Sequence, residues 1–321
     1  MGIKILGTGR ALPQQSMSND ELAAFLDTSD EWIVSHTGIK SRHMCTSESL
    51  TDLAEVAAKA ALRNSGIGPE DIDLIICATC TADFLTPSLA CTIAERLGTT
   101  CPAFDVNAAC TGFVYGLDVV SAYLGAGKAS NVLFIAADML TRVTNWRDRS
   151  TCVLFGDGAG ALVATKGGGL KYMRLEARGN TKILHIKGAP INNPLMPAHE
   201  NAGNCGHVFM DGQEVFKFAV QTVEKEVKLA LDSLSLTPED ITFFLLHQAN
   251  KRIIDSARIR LKQPEAKFPI NIDKYSNTTA ATIPILLDEL VEDKRIKPGD
   301  KLLMLAFGAG LTTGTCMIEW E

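Results

Sequence analysis

The chain has 321 residues, 46% hydrophobic and 21% charged, with a formal net charge of −6. This composition excludes general disorder, and the length suggests about two domains or one large one, with a core that needs no disulfide staples. The acidic balance argues against nucleic acid as the main partner, and no apolar run approaches the roughly 18 residues that cross a bilayer.

Met1-Gly2-Ile3-Lys4-Ile5-Leu6 runs straight into a strand-like segment, without the charged, apolar and small-residue regions of a signal peptide. Nine cysteines are scattered through apolar runs, which fits reduced thiols in a cytoplasmic protein. Leu53 to Leu62 has helical periodicity, and Leu74-Ile75-Ile76-Cys77-Ala78 reads as a buried strand. Cys77 and Cys80 have CxxC spacing but no second ligand pair, and the six His residues are widely spread, so no metal site is expected.

Phe104 to Ala109 leads into Cys110-Thr111-Gly112, and Phe113 to Leu124 reads as a helix. Cys110 therefore stands at or near a helix N-terminus, where the dipole and free N–H groups lower a thiol pKa. A buried, inert cysteine is the competing reading, and the spacing alone does not choose between them. Val132 to Ala136 reads as a strand. Phe155-Gly156-Asp157-Gly158-Ala159-Gly160 precedes a strand-like Ala161 to Thr165 and opens no helix, which rejects a dinucleotide fingerprint. The Gly run Gly167-Gly168-Gly169 divides the chain into halves 1–169 and 170–321. Gly179 to Gly212 is rich in Gly, Asn, Pro and His and reads as a long functional loop.

In the second half, Val223 to Leu231 reads as helix and Phe243 to Leu246 as strand. His247 stands at that strand's C-terminal end, where catalytic groups collect in open α/β sheets; a hydrogen-bonded core histidine is the alternative. Lys217, Lys251, Arg252, Arg258, Arg260 and Lys262 make a basic patch, either a solvated helix face or a dock for an acidic carrier or nucleotide phosphate. Phe268 to Ile272 reads as strand and Ile283 to Val291 as helix, with Tyr275-Ser276-Asn277-Thr278-Thr279-Ala280 between them. Asn277 is either a helix cap or a site residue. The strand-like Leu302 to Ala306 ends in Phe307-Gly308-Ala309-Gly310, either an oxyanion hole of backbone N–H groups or a tight turn.

The halves repeat each other. Pro69-Glu70-Asp71-Ile72 recurs as Pro238-Glu239-Asp240-Ile241, and Val132 to Ala136 recurs at nearly the same offset as Leu302 to Ala306. The Gly loops at Phe155 and Phe307 lie closer together than that offset, so the first half carries an insertion of about 18 residues, Asp138 to Leu154. Two α/β halves packed together predict a layered fold with helices between sheets. The repeat sets Asn277 close to the position of Cys110.

Taken in order, these motifs resemble the beta-ketoacyl-acyl-carrier-protein synthase III family. The resemblance rests on Cys110 in Asn-Ala-Ala-Cys-Thr-Gly-Phe, His247 in His-Gln-Ala-Asn and Asn277 in Tyr-Ser-Asn-Thr-Thr-Ala-Ala. Asp30 to Ile33, Thr37 to Ile39, Trp146 to Arg149, Gly212 to Lys217 and the closing Phe307 to Thr312 extend it along nearly the whole chain. It implies the thiolase fold, a duplicated five-layer αβαβα arrangement with two mixed sheets, and a homodimer. It further implies a Cys110-His247-Asn277 triad that takes an acyl group from an acyl-CoA primer. The acyl-Cys110 intermediate then condenses, with loss of carbon dioxide, with malonyl-acyl carrier protein. The product is a 3-oxoacyl-acyl carrier protein, the first condensation of fatty acid synthesis. The resemblance places the oxyanion on the N–H groups of Cys110 and Ala309, and coenzyme A on Thr28, Trp32, Arg149 and Asn250. It places the carrier protein on Lys217, Lys251 and Arg252, with Leu85-Thr86-Pro87 lining the partner's pocket. No metal or redox cofactor is implied. Three residues depart from the family's usual pattern: His36 for Arg, Ser276 for Gly, and Thr313 for Trp. The alternatives are a thiolase-fold ketosynthase or acyltransferase of secondary metabolism, a Cys-dependent hydrolase, and a catalytically silent scaffold.

Overall fold

The computed structural model describes residues 2–188 and 206–321. The strands are β1 (Ile3–Ala11), β2 (Ser16–Ser18), β3 (Ser41–His43), β4 (Leu74–Ala78), β5 (Ala103–Val106), β6 (Asn131–Met139), β7 (Asp157–Lys166), β8 (Leu170–Asn180), β9 (Leu184–Ile186), β10 (Val208–Met210), β11 (Phe243–Leu246), β12 (Lys301–Gly308) and β13 (Gly310–Glu319). The helices are α1 (Asn19–Ala23), α2 (Asp30–Thr37), α3 (Leu50–Ser65), α4 (Leu89–Leu97), α5 (Gly112–Gly125), α6 (Arg149–Cys152), α7 (Gly212–Leu234), α8 (Lys251–Leu261), α9 (Ile272–Tyr275) and α10 (Thr282–Glu292).

Two mixed sheets carry the fold. The first has the order β1-β7-β6-β4-β5, and the second β11-β12-β13-β8. In each, a parallel core is extended by antiparallel strands: β4 pairs parallel with β5 and β6, and β11 pairs parallel with β12. The continuous apolar runs of β4, β6, β11 and β12 are buried along nearly their whole length because helices cover both faces. Helices α5 and α10 fill the space between the sheets, where Leu117, Val120, Leu286 and Leu290 meet Ile76, Phe134 and Met304. Helices α3 and α4 cover the outer face of the first sheet, and α7 and α8 that of the second. The result is the expected five-layer αβαβα stack. Gly116 allows α5 to approach β6: a Cβ there would meet the Phe134 ring at 2.1 Å.

Two expectations fail. Phe268 to Ile272 is not a strand, so the second sheet lacks a counterpart of β5 among the described residues. Pro269 lacks the N–H that a ladder needs. The run is apolar because it packs: Phe268 stacks on Phe244 of β11 with ring centres 4.7 Å apart. The stretch Gly179 to Gly212 is also not all loop. It contains the end of β8 and the antiparallel pair β9–β10, while its residues 189–205 lie outside the described part.

Candidate active site

The site forms where both halves end their parallel strands, between the layers. After β5 the chain makes a short 3-10 turn, Ala109–Thr111, and enters α5. After α9 it makes a matching turn, Thr279–Ala281, and enters α10. Ala109 and Thr279 both have positive φ, 46° and 50°. The turns therefore align at the same offset as the strands β6 and β12. This corrects the repeat's register: Asn277 matches Asn107, and Cys110 matches Ala280. The two Asn side chains do the same work. Asn107 Oδ1 accepts from the Ala109 N–H at 3.3 Å, and Asn277 Oδ1 from the Thr279 N–H at 2.9 Å.

Cys110, His247, Asn277, Ala309 and Asn250 line one cavity of about 400 Å³. The loop between β12 and β13 closes directly on the cysteine; a Cβ on Gly308 would stand 2.9 Å from Cys110 Cβ. Asn277 is pinned through its backbone, which donates to the Leu154 carbonyl at 3.0 Å and accepts from Gly156 at 3.1 Å. With Oδ1 already taken by Thr279, its Nδ2–H₂ is the free end of the amide, a hydrogen-bond donor. His247 directly follows β11 and is 2% exposed. Its ring meets Phe307 edge-on at 5.5 Å, and its Nδ1 is 2.7 Å from Thr282 Oγ1.

Electrostatics corrects a second expectation. Burial pushes the Cys110 thiol up to about 12, helped by the nearby Asp138 carboxylate, against the smaller lowering from a backbone N–H. The helix N-terminus does not win over desolvation. Asp138 is itself buried, and Oδ1 accepts from Thr79 Oγ1, Cys80 N and Thr81 Oγ1 at 2.8–3.1 Å and from the Cys80 thiol at 3.4 Å. Burial likewise lowers His247 to about 3. The unliganded cavity thus holds a thiol and a neutral imidazole.

The His247 shift has a consequence for stability. Between about pH 6.5 and about pH 3 the unfolded imidazole binds a proton that the folded one refuses, so stability falls as pH falls through that window. Thermal midpoints taken from about pH 7 to about pH 4 should decline, and His247→Asn should flatten part of that slope. An unchanged slope would place the histidine in contact with water.

Thr28, Trp32, Arg149, Lys217, Lys251 and Arg252 are not among the residues that line this cavity. Trp32 lies on α2 with the Arg149 guanidinium 4.1 Å from its ring centre, and His36 stacks on it at 4.3 Å. His36 Nδ1 also hydrogen-bonds the Trp32 carbonyl at 2.7 Å, so the residue that replaces Arg bonds back onto its own helix, which Gly38 caps. Thr28 Oγ1 and Arg149 Nε are buried without partners among the described residues. Asn250 reaches across from the start of α8 to the His36 carbonyl at 3.0 Å. Lys217 and Arg252 are exposed; Arg252 lies 5.3 Å from the Phe216 ring at the cavity wall. Lys251 is paired with Asp255 at 2.6 Å. Ser276, with φ 60° and ψ −158°, sits in a region that glycine favours. Sequence reasoning missed Thr282, Thr279 and Phe216; only the three-residue spacing of Thr279 and Thr282 after Asn277 hinted at the first two. Leu184, Ile186 and Val208 extend the cavity's apolar wall.

Comparison with known proteins places this arrangement. The family model described as 3-oxoacyl-[acyl-carrier-protein (ACP)] synthase III matches residues 104–179, and its C-terminal counterpart matches residues 231–320. The chain is 46% identical to the beta-ketoacyl-[acyl-carrier-protein] synthase III of Caldanaerobacter subterraneus subsp. tengcongensis, over 99% of this chain and 97% of that protein. The crystal structure of 3-oxoacyl-[acyl-carrier-protein] synthase III from Aquifex aeolicus superposes with a TM-score of 0.92 at 42% identity, covering 99% of this chain and 100% of that one. The priming beta-ketosynthase of the R1128 polyketide pathway superposes with a TM-score of 0.91 at 32% identity, covering 99% and 96%. The fold is the thiolase fold of these synthases.

Proposed function

This chain belongs to the beta-ketoacyl-[acyl-carrier-protein] synthase III family, and we propose that it performs the decarboxylating condensation that starts fatty acid synthesis. The observation that carries the reading is the convergence of Cys110, His247 and Asn277 on one cavity. The Cys110 thiol gives up its proton as sulfur attacks the thioester carbonyl of an acyl-CoA. The N–H groups of Cys110 and Ala309 hold the oxyanion, and coenzyme A leaves as the thiol. Malonyl-acyl carrier protein then enters. His247 and Asn277 Nδ2 donate to its thioester oxygen as carbon dioxide departs, stabilising the enolate. The enolate carbon attacks the acyl-Cys110 carbonyl. The carbon–sulfur bond breaks, 3-oxoacyl-acyl carrier protein leaves, and the thiolate takes up a proton. These steps require no metal or redox cofactor.

The first half, residues 1–169, supplies the nucleophile, and the second, 170–321, supplies the two donors. The unpartnered Thr28 Oγ1 and Arg149 Nε support a polar coenzyme A head beside Trp32. The 4.1 Å separation of Arg149 and Trp32 has no room for a third ring, so adenine stacking requires Arg149 to swing outward. Trp32→Ala should raise the KM for acyl-CoA about tenfold with loading at saturation unchanged, measured by the rate of acyl-enzyme formation; an unchanged KM would move the adenine elsewhere. Lys217 and Arg252 are exposed cations beside Phe216 of the cavity wall and would receive the acidic carrier protein, together with Lys251. Helices α1 and α2 would line the coenzyme's route. A homodimer is supported by the half-buried edge strand β5 and by the exposed Phe84 and Leu85 in the loop before α4. No described helix is long and apolar enough to cross a membrane, and we place the protein in the cytoplasm.

Intact-protein mass tests the function. Acetyl-CoA or a short branched acyl-CoA should add one acyl group, and malonyl-acyl carrier protein should then discharge it with release of carbon dioxide. An adduct that water clears rapidly without the carrier would replace the synthase with a hydrolase.

A further inference from the structure

Thr282 opens α10 and is buried. Its hydroxyl lies 2.7 Å from Nδ1 of His247 and 3.0 Å from the carbonyl oxygen of Thr279. A hydroxyl has one proton, so it serves one of these acceptors at a time. The choice fixes the histidine. If the proton goes to the carbonyl, Oγ1 can only accept, the ring must carry its hydrogen on Nδ1, and Nε2 becomes an acceptor. If the proton goes to Nδ1, the neutral ring must carry its hydrogen on Nε2. Nδ1 is occupied by Thr282, so Nε2 is the nitrogen that a ligand can reach. We propose that Thr282 is a positioning residue that donates to Nδ1, selects the Nε2–H tautomer, and so makes His247 a donor to the malonyl thioester oxygen. The inference rests on the condensation reading above.

Two observations favour this assignment over a hydroxyl that merely bonds back to its own helix turn. The contact to Nδ1 is the shorter of the two. The same stretch also orients the second donor, because the Thr279 N–H occupies Asn277 Oδ1 and leaves Nδ2 free. Residues 277–282 thus set both donors toward one oxygen. A wrong histidine tautomer is costly elsewhere: in a hydrolytic triad it lowers kcat about 10⁴-fold.

The test compares wild type, Thr282→Val, which keeps the shape and loses the hydroxyl, and Thr282→Ser, which restores it. Nitrogen NMR of histidine-labelled protein should show His247 protonated at Nε2 in wild type and Ser, with Nδ1 hydrogen-bonded. In Val, with nothing holding the tautomer, part of the His247 population should carry its proton on Nδ1 instead of Nε2. Decarboxylation of malonyl-acyl carrier protein should fall about 10- to 100-fold in Val and recover in Ser. Acyl loading of Cys110 should stay within about twofold in all three, because its oxyanion uses backbone N–H groups. A wild-type His247 protonated at Nδ1 overturns the proposal. So does undiminished decarboxylation in Val, or a joint loss of loading and decarboxylation that Ser does not rescue. Wild type that loads no acyl group and releases no carbon dioxide would overturn the condensation reading instead, and the NMR comparison would still decide the tautomer.

Discussion

Replacing Cys110 with alanine is expected to erase the acyl mass gain and to lower condensation by at least about 10³-fold. The expectation rests on position. Cys110 alone among the described cysteines stands in the turn that enters α5, against Gly308 and Ala309. Cys80 shares the cavity, but its thiol donates to the Asp138 carboxylate. Burial and that carboxylate push its pKa up as they do for Cys110, but it stands outside the turn that enters α5 and its thiol is engaged by Asp138, so it does not take over as nucleophile. The loss should therefore be deep, with no slow residual adduct. Cys110 itself is protonated at rest, with its thiol near 12. Its alkylation by iodoacetamide in the free enzyme should still be rising steeply at about pH 10.5, beyond an ordinary cysteine's plateau. An acyl adduct that persisted in Cys110→Ala would remove the covalent mechanism altogether.

The sequence made the duplicated α/β design legible because its landmarks recur in the same order at nearly equal offsets, and buried strands must be apolar. It misled at Phe268 to Ile272, where apolar character reflects packing on Phe244 and Pro269 prevents a ladder. It also set Asn277 against Cys110 by counting from a distant motif. Counted from that motif, Asn277 falls one residue from the place of Asn107 and two from that of Cys110, and the turn geometry decides for Asn107. The grouping of Cys110, His247 and Asn277 was foreseeable from strand ends and helix starts. Their protonation was not: desolvation depends on every layer packed around the cavity, which no local motif encodes. Beyond its spacing from Thr279, Thr282 carried no signal for a related reason. A threonine in the first turn of a helix is ordinary until a histidine from another strand is placed 2.7 Å from it.

His247→Ala and Asn277→Ala should each reduce malonyl decarboxylation by about 10²- to 10³-fold while acyl loading falls far less. The two steps draw on different donors. In the proposed mechanism, loading would place its oxyanion on the backbone N–H groups of Cys110 and Ala309, which neither substitution removes. Decarboxylation would build charge on the malonyl thioester oxygen, which the two side chains would share. Removing both should cost less than the product of the single losses, because the donors act on one oxygen as a unit. Asn277→Asp gives the sharpest version. Its Oδ1 can keep the 2.9 Å bond from the Thr279 N–H, so the turn survives. Its other oxygen then sets an acceptor, and at neutral pH a negative charge, where the enolate develops. Asp should therefore be worse than Ala, although it is closer in shape to Asn. Carbon dioxide release from malonyl-acyl carrier protein and intact-protein mass, measured on the same preparations, separate the two steps. Asp equal to wild type would mean that the amide does not face the developing charge; equal losses in both steps would mean that the substitutions collapse the cavity.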